Sequence, residues 1–299
     1  MSNDDRRAVQ HAMALMVVAM LTLPGIDAIA KWLGGSVSPG LIAWCRFFFQ
    51  TLFMLPLVLR VRVRRPRAGM GVHALRGVLM AAATLLFFTA VQHMPLANAI
   101  AIFFVEPLLV TMLAAVFLGE PVGWRRISAV VVGLVGAVVV IRPGFGGFGL
   151  VSLLPLAAAV SFAVYLLLTR RTAPHEDPAW MQLLVGVFGG LVMTVALGVG
   201  AVLDVELLRP RLPTATQWAL LAGLGVIATA GHLLVVHAFR RAPATLLAPF
   251  QYLEIVSATL LGWVLFDDFP DAVTWVGVAI IVGSGLYVFH RERVRGAAR

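Results

Sequence analysis

The chain of 299 residues is 61% hydrophobic and only 12% charged, and its mean hydropathy is +0.95. A soluble globular domain carries about 25% charged residues, so this composition excludes a soluble protein. The formal net charge of +9 would favour nucleic-acid binding in a soluble chain. Here the arginines flank apolar segments and indicate orientation in a membrane instead. We therefore expect the lipid bilayer, and no nucleic acid, as a partner.

Ten apolar segments follow one another along the chain, most of them as long as an α-helix that crosses a bilayer. They predict an all-α integral membrane protein with ten transmembrane helices. We expect no cleavable signal at the N-terminus, because no small-residue cleavage site follows the first segment. The segments cover residues 12–31, 39–60, 73–92, 96–118, 126–142, 150–169, 179–203, 216–238, 244–266 and 272–290.

The basic residues between these segments predict how the chain is oriented. If the N-terminus lies inside, 18 arginines fall on the cytoplasmic side, and only Arg142, Arg209 and Arg211 fall outside. Cytoplasmic loops of membrane proteins are enriched in Lys and Arg. We therefore expect a multi-pass protein of a bacterial-type cytoplasmic (inner) membrane with both termini in the cytoplasm.

One stretch of the chain occurs twice. At an offset of 148 residues, Pro95 matches Pro243 and Glu106 matches Glu254, each within a long apolar segment. A glutamate at the same depth of two matching segments indicates an internal repeat.

The repeat divides the chain into halves of five segments each, residues 1–146 and 147–299. Because five is an odd number, the two halves must run through the membrane in opposite directions. Matching loops also differ in charge: Arg125 and Arg126 follow one copy, whereas the loop around Asp271 in the other copy has no basic residue. Both features predict two inverted five-helix repeats.

Three stretches carry a resemblance to a known family: PLANAIAIFFVEPLLVTMLAAVFLGEPVGWRR (95–126), VGLVGAVVVIRPG (132–144) and LAPFQYLEIVSATLLGWVLFDDFPD (247–271). With them the chain resembles the drug/metabolite transporter superfamily, specifically its ten-segment proteins built from two EamA-type repeats. The resemblance implies a transporter of small organic molecules, since members move amino acids, S-adenosylmethionine, riboflavin, purines or sugars. The second copy has Ile255 where the first has Pro107, so the resemblance does not imply a proline kink in the second copy.

Five ionisable residues fall inside the predicted segments: Asp27, Lys31, Arg46, Glu106 and Glu254. A charged side chain at the centre of a membrane helix costs about 2.5–3.5 kcal/mol on the insertion scale. These residues should therefore pair with one another or face an aqueous cavity.

The three ionisable residues of the first two segments have a structural and a functional interpretation. Asp27 and Lys31 are four residues apart, so they can pair on one helix face, or Lys31 can extend to the membrane interface. Arg46 lies seven residues inside its segment, and its planar guanidinium can hold a carboxylate with two parallel hydrogen bonds. That carboxylate is either Asp27 or a group of the substrate.

Glu106 and Glu254 are the strongest pair of site candidates. Helical spacing places Asn98 on the stripe of Glu106 and Phe250 on the stripe of Glu254. Burial favours the protonated form of a carboxyl group, so either glutamate can carry a proton. Pro107 removes a backbone hydrogen bond beside Glu106 and can free a carbonyl toward a cavity. The structural alternative is that each glutamate binds a polar group of a neighbouring helix.

Phe250 and Tyr252 flank Gln251 and could contact a planar substrate, whereas we expect most other aromatic side chains to pack or face lipid. We predict no metal site and no cofactor. His232 and His237 do not share a helix face, and the sequence has no nucleotide-binding motif, so transport would depend on a gradient.

The sequence thus predicts a gradient-driven secondary transporter of a small metabolite working by alternating access, with no catalytic residues, as a monomer or a homodimer. Glu106 and Glu254 would contact substrate or a coupling proton, and Arg46 and Lys31 would meet a negative group. Riboflavin, S-adenosylmethionine and amino acids are the substrates that the resemblance suggests. The alternative is an integral membrane enzyme or a scramblase acting on lipid-linked substrates.

Overall fold

The computed structural model describes residues 3–60, 69–118, 124–142, 149–172, 176–239, 241–242 and 244–297. All regular structure in these ranges is helical, which confirms the predicted all-α class. Pro243 and the basic run within 61–68 lie outside the described residues. The helices are α1 (Asn3–Thr22), α2 (Pro24–Leu33), α3 (Pro39–Arg60), α4 (Met70–Val91), α5 (Leu96–Phe103), α6 (Glu106–Leu118), α7 (Trp124–Ile141), α8 (Leu153–Thr172), α9 (Pro178–Val202), α10 (Ala215–Phe239), α11 (Ala244–Gln251), α12 (Leu253–Phe266) and α13 (Ala272–Ala297).

These thirteen described helices occupy the ten predicted segments, because three segments each contain two successive helices. Eight segments are long and apolar enough to cross a membrane. The other two hold shorter apolar helices, Ile127–Ile141 and Ala272–Val288. The prediction of a ten-helix membrane protein is therefore confirmed.

The three divided segments are interrupted by one or two residues. In the first, Leu23 separates α1 from α2, and Pro24 opens α2 because a helix start tolerates a residue without an N–H. In the fourth, Phe104 and Val105 separate α5 from α6. In the ninth, Tyr252 alone separates α11 from α12. The sequence predicted only the interruption beside Pro107.

The helices form two compact units. The first unit comprises residues 1–25, 95–152 and 230–299, and the second comprises residues 26–94 and 153–229. Each unit therefore draws helices from both halves of the sequence.

Helices at matching positions of the two sequence halves pack against each other within these units. In the first unit α7 packs against α13 and α5 against α12, and in the second unit α3 packs against α9. These are segments five and ten, four and nine, and two and seven. Such pairing is what an internal repeat leads us to expect, while the repeat boundaries at 146 and 147 and the inverted orientation stay predictions.

Glycines allow α7 and α13 to approach closely in the first unit. A Cβ atom added at Gly277 would lie 2.9 Å from the carbonyl oxygen of Gly136, and one added at Gly136 would lie 2.9 Å from the side chain of Ile281. The absence of a side chain thus lets backbone meet backbone. Gly283, by contrast, faces open space.

Candidate functional site

The nine predicted site residues divide between the two units. Three of them belong to the second unit: Asp27, Lys31 and Arg46. The others belong to the first unit: Asn98, Glu106, Phe250, Gln251, Tyr252 and Glu254.

All three predicted intramembrane acids occupy the first turn of a helix that follows an interruption. Asp27 lies in the first turn of α2, Glu106 opens α6, and Glu254 is the second residue of α12. The N-terminus of a helix carries a partial positive charge, which stabilises a carboxylate nearby. Local folding therefore places all three acids at the N-terminal end of a helix.

The two interruptions of the first unit meet through an aromatic pair. The rings of Phe104 and Tyr252 lie 5.3 Å apart between centroids, tilted by 34°. Each of these residues belongs to an interruption, and such ring pairs add about 0.5–1.5 kcal/mol beyond their burial. The Tyr252 hydroxyl packs against Gly285 of α13. It is buried and has no hydrogen-bond partner among the described atoms.

Glu106 is half-buried and interacts electrostatically with Tyr252. Within the described ranges its carboxyl group makes no hydrogen bond and no ion pair. Glu254 is also half-buried. The carboxyl group of Glu106, next to the interruption of the fourth segment, is therefore available to bind another group.

Asn98 belongs to a different polar cluster, at the opposite end of α5. Its Nδ2 atom donates to Thr274 Oγ1 at 3.2 Å. Asp271 in turn accepts from the Thr274 amide at 2.9 Å and from the Arg142 guanidinium. These two hydrogen bonds hold the pKa of Asp271 below its usual range. The expected stripe that joins Asn98 to Glu106 is broken, because the helix is interrupted between them.

Phe250 and Gln251 end α11, and both are half-buried. Phe250 packs against an apolar core that includes Met16 and Met20 of α1. Its place in this core favours the packing interpretation for Phe250, so Tyr252 is the better-placed aromatic residue for substrate contact.

In the second unit Arg46 is only 7% exposed. Its Nη1 atom donates to the hydroxyl oxygen of Thr84 on α4, and its guanidinium lies over the ring of Phe47. Asp27 attracts it electrostatically, but no direct ion pair joins the two within the described part of the chain. Thr84 was not identified from the sequence, because a lone threonine on an apolar helix gives no signal.

Lys31 contacts the backbone of a neighbouring turn. Its Nζ atom donates to the carbonyl oxygen of Met94 at 2.8 Å, in the turn that follows α4. Carbonyl groups near a helix end lack helical partners, and a lysine ammonium group can satisfy them.

The sequence did not predict the buried polar cluster at the start of α4. Arg76 is 1% exposed and donates from Nε to Thr169 at 3.0 Å. His73, also fully buried, lies 3.3 Å from Arg76 and 3.9 Å from Glu176. The 18 arginines predicted on the cytoplasmic side include Arg76. The spacing of three residues between His73 and Arg76 on one helix face could have indicated the contact.

The described part of the chain contains no group of three or more His, Cys, Asp or Glu side chains arranged to hold a metal ion. Within the membrane-spanning helices, the first unit can supply carboxyl and hydroxyl groups, and the second unit can supply a guanidinium group.

Relatives of known function match nearly the whole chain. An S-adenosylmethionine uptake transporter of Rickettsia bellii is 28% identical over 296 residues, covering 97% of both chains. A riboflavin transporter of Brucella anthropi is 27% identical over 287 residues, covering 93% of this chain and 98% of the relative. A pseudopaline exporter of Pseudomonas aeruginosa is 25% identical over 275 residues, covering 92% and 94%.

A chain of known structure has the same fold. It superposes with a TM-score of 0.62 at 23% sequence identity, covering 95% of this chain and 98% of that chain. The sequence profile of the EamA-like transporter family matches twice, over residues 10–142 and 149–289. The chain belongs to the EamA-like transporter family, and it is a multi-pass membrane transporter of the drug/metabolite superfamily and not an enzyme.

Proposed function

We propose that this protein is a secondary transporter that carries a small organic metabolite across the membrane by alternating access, driven by a gradient. One observation supports this most: three membrane-spanning segments are interrupted, and a carboxyl group follows each interruption within one turn. Irregular backbone and charged side chains are tolerated at membrane depth where they line a water-filled cavity or are buried in protein. Discontinuous helices of this kind form substrate sites in other secondary transporters.

We assign the central role to Glu106, because it has no hydrogen bond or ion pair within the described ranges. It would contact the substrate or carry a coupling proton, with Glu254 in the matching position of the second copy. Tyr252 would contribute its unpartnered hydroxyl group. Arg46 would meet a negative group, whereas Lys31 is engaged by Met94 and has a structural role in this proposal.

The candidate substrates remain riboflavin, S-adenosylmethionine and amino acids. Relatives named for S-adenosylmethionine uptake, riboflavin transport and pseudopaline export are 28%, 27% and 25% identical, so identity does not separate these classes. We further propose residence in a bacterial inner membrane with both termini in the cytoplasm, on the strength of the uneven distribution of arginines.

Transport into proteoliposomes tests the assignment. The purified wild type is assayed with labelled riboflavin, S-adenosylmethionine and amino acids, with and without a pH gradient. We expect Glu106→Gln to lower transport of the true substrate about tenfold or more, since a contact with a charged group contributes about 1.5–3 kcal/mol. Glu254→Gln should lower it in the same direction.

Asp177→Asn is the matched control, because Asp177 caps α9 through the Ala179 amide and asparagine caps a helix equally well. Its transport should equal that of the wild type. Unchanged transport in both glutamate variants would rule out the mechanism proposed here.

A further inference from the structure

A polar cavity of about 370 Å³ lies in the second unit, and all the residues that line it belong to that unit. It is lined by the 34–39 loop after α2, by the turn after α4, and by part of the 206–211 segment after α9. Small-molecule sites occupy roughly 300–1,000 Å³. The cavity is therefore large enough for a small metabolite.

Both signs of charge line this cavity. Arg211 and Glu206 contribute side chains that, within the described residues, make no ion pair and no hydrogen bond. Arg209 also lines it but pairs with Asp204 at 2.6 Å. The Nδ1 atom of His93 contacts the Thr89 carbonyl oxygen at 2.8 Å, which leaves Nε2 available.

Hydrogen bonds hold the walls of the cavity in place. Ser38 Oγ donates to the carbonyl oxygen of Arg209 at 2.8 Å, and Gln217 Nε2 donates to Ser36 Oγ at 2.9 Å. The 34–39 loop is thereby tied to the segment after α9 and to α10. Because these hydrogen bonds already fix the loops around the cavity, the loops lose less conformational entropy when a ligand binds.

The arginines of this cavity lie on a side of the membrane where few basic residues are predicted. On the proposed topology this end of the unit faces outside, where arginine is disfavoured. Only three basic residues fall on that face, and Arg209 and Arg211 both line the cavity. Because Arg209 is paired with Asp204, Arg211 is the arginine of this cavity that, within the described residues, has no acidic partner and can attract an anionic group arriving from outside.

We propose that this loop cavity binds the α-amino-acid group of a zwitterionic solute, with Arg211 holding the carboxylate and Glu206 the ammonium group. Arginine suits a carboxylate because its planar fork can donate two parallel hydrogen bonds. This inference rests on the proposed transport function and narrows its substrate to a molecule with an amino-acid head. The cavity would serve as an outer capture site for this molecule.

The test uses the full chain in lipid nanodiscs with a local readout. Gly35 is exposed, lines the cavity and has open space beside it, while the native Cys45 is buried. In a Gly35→Cys protein, the rate of maleimide labelling reports whether the cavity is occupied. S-adenosylmethionine and L-tryptophan are compared with decarboxylated S-adenosylmethionine and tryptamine, which lack only the carboxylate.

We expect at least one of the two zwitterions to slow labelling and its decarboxylated partner to do so only at about tenfold higher concentration, as loss of a charged hydrogen-bond partner predicts. Adding Arg211→Gln or Glu206→Gln should raise the protecting concentration by a similar factor. Arg60→Gln is the matched control, because Arg60 is an exposed arginine at the far end of α3. It should leave protection unchanged.

Three results would overturn the inference: no protection by either zwitterion, equal protection by the decarboxylated compounds, or unchanged protection in both charge variants. The Glu106→Gln protein distinguishes failure of this inference from failure of the proposed transport function. It should lose transport and still show protection at Gly35→Cys, since Glu106 belongs to the other unit.

Discussion

Arg46 shows how this protein holds a positive charge inside a membrane-spanning helix. The sequence offered Asp27 or a substrate carboxylate as its partner, but the direct contact is the hydroxyl group of Thr84. A neutral hydroxyl satisfies one of five guanidinium donors, and within the described residues no carboxylate contacts the guanidinium directly. Arg46 can therefore still bind a negative group. Asp27 stabilises its positive charge electrostatically without a direct contact.

The Arg142–Asp271 pair permits a prediction about stability. Asp271 accepts from Arg142 and from the Thr274 amide, so it joins α7 to the first turn of α13. Asp271→Asn retains the helix cap but loses the charge pair, whereas Asp271→Ala loses both. We expect both variants to unfold at lower temperature than the wild type, and the alanine variant to lose about 1 kcal/mol more.

The effect of Asp271→Asn should depend on pH with a defined sign. The folded pKa of Asp271 is depressed relative to the usual value of about 3.9. Its stabilisation is therefore fully present above that value and is lost only as the pH falls through the folded pKa. Thermal unfolding in detergent from pH 7 downward should show a constant difference to about pH 4 and a shrinking one below it. A difference that vanishes already at pH 6 contradicts this account.

At the scale of single helices, the interruptions are the feature that positions the candidate site. Pro24 could have indicated the first one, since proline interrupts a helix that would otherwise run through it. The interruption at Tyr252 has no such signal, because Ile255 replaces the proline of the first copy. Packing of the Tyr252 ring on Phe104 and of its hydroxyl on Gly285 accompanies this interruption, and neither contact is visible in the local sequence.

The close approach of α7 and α13 gives a prediction at the same scale. Gly277→Ala places a methyl group 2.9 Å from the Gly136 carbonyl oxygen, so the helices must separate. We expect a loss of about 1–3 kcal/mol in the free energy of unfolding, as for other overpacked sites. Gly283→Ala on the same helix is the control, and it should be neutral or up to about 1 kcal/mol more stable because alanine favours the helix. Equal melting temperatures for the two variants would refute the role of Gly277.

At the scale of the whole molecule, the distribution of arginines predicts the topology. Arg76 is buried in α4, so it leaves the cytoplasmic count, yet the asymmetry against Arg142, Arg209 and Arg211 persists. A fluorescent protein fused after residue 299 should fluoresce, and alkaline phosphatase fused there should be inactive. Phosphatase inserted at Pro210 should be active. The opposite pattern would reverse the proposed orientation and would place the loop cavity inside.

The sequence by itself determined the membrane class, the ten segments and the matching glutamates, and its motifs carried the resemblance to the family. Hydrophobic length and residue spacing are properties of the chain alone, so composition and periodicity are enough to predict the segments and the repeat. Tertiary structure decided how the segments combine: each compact unit takes helices from both sequence halves, and helices at matching positions pack together. It also decided the partners of the buried charges, giving Thr84 to Arg46 and Met94 to Lys31. These contacts join residues 38 and 63 positions apart, where short-range sequence patterns contain no information.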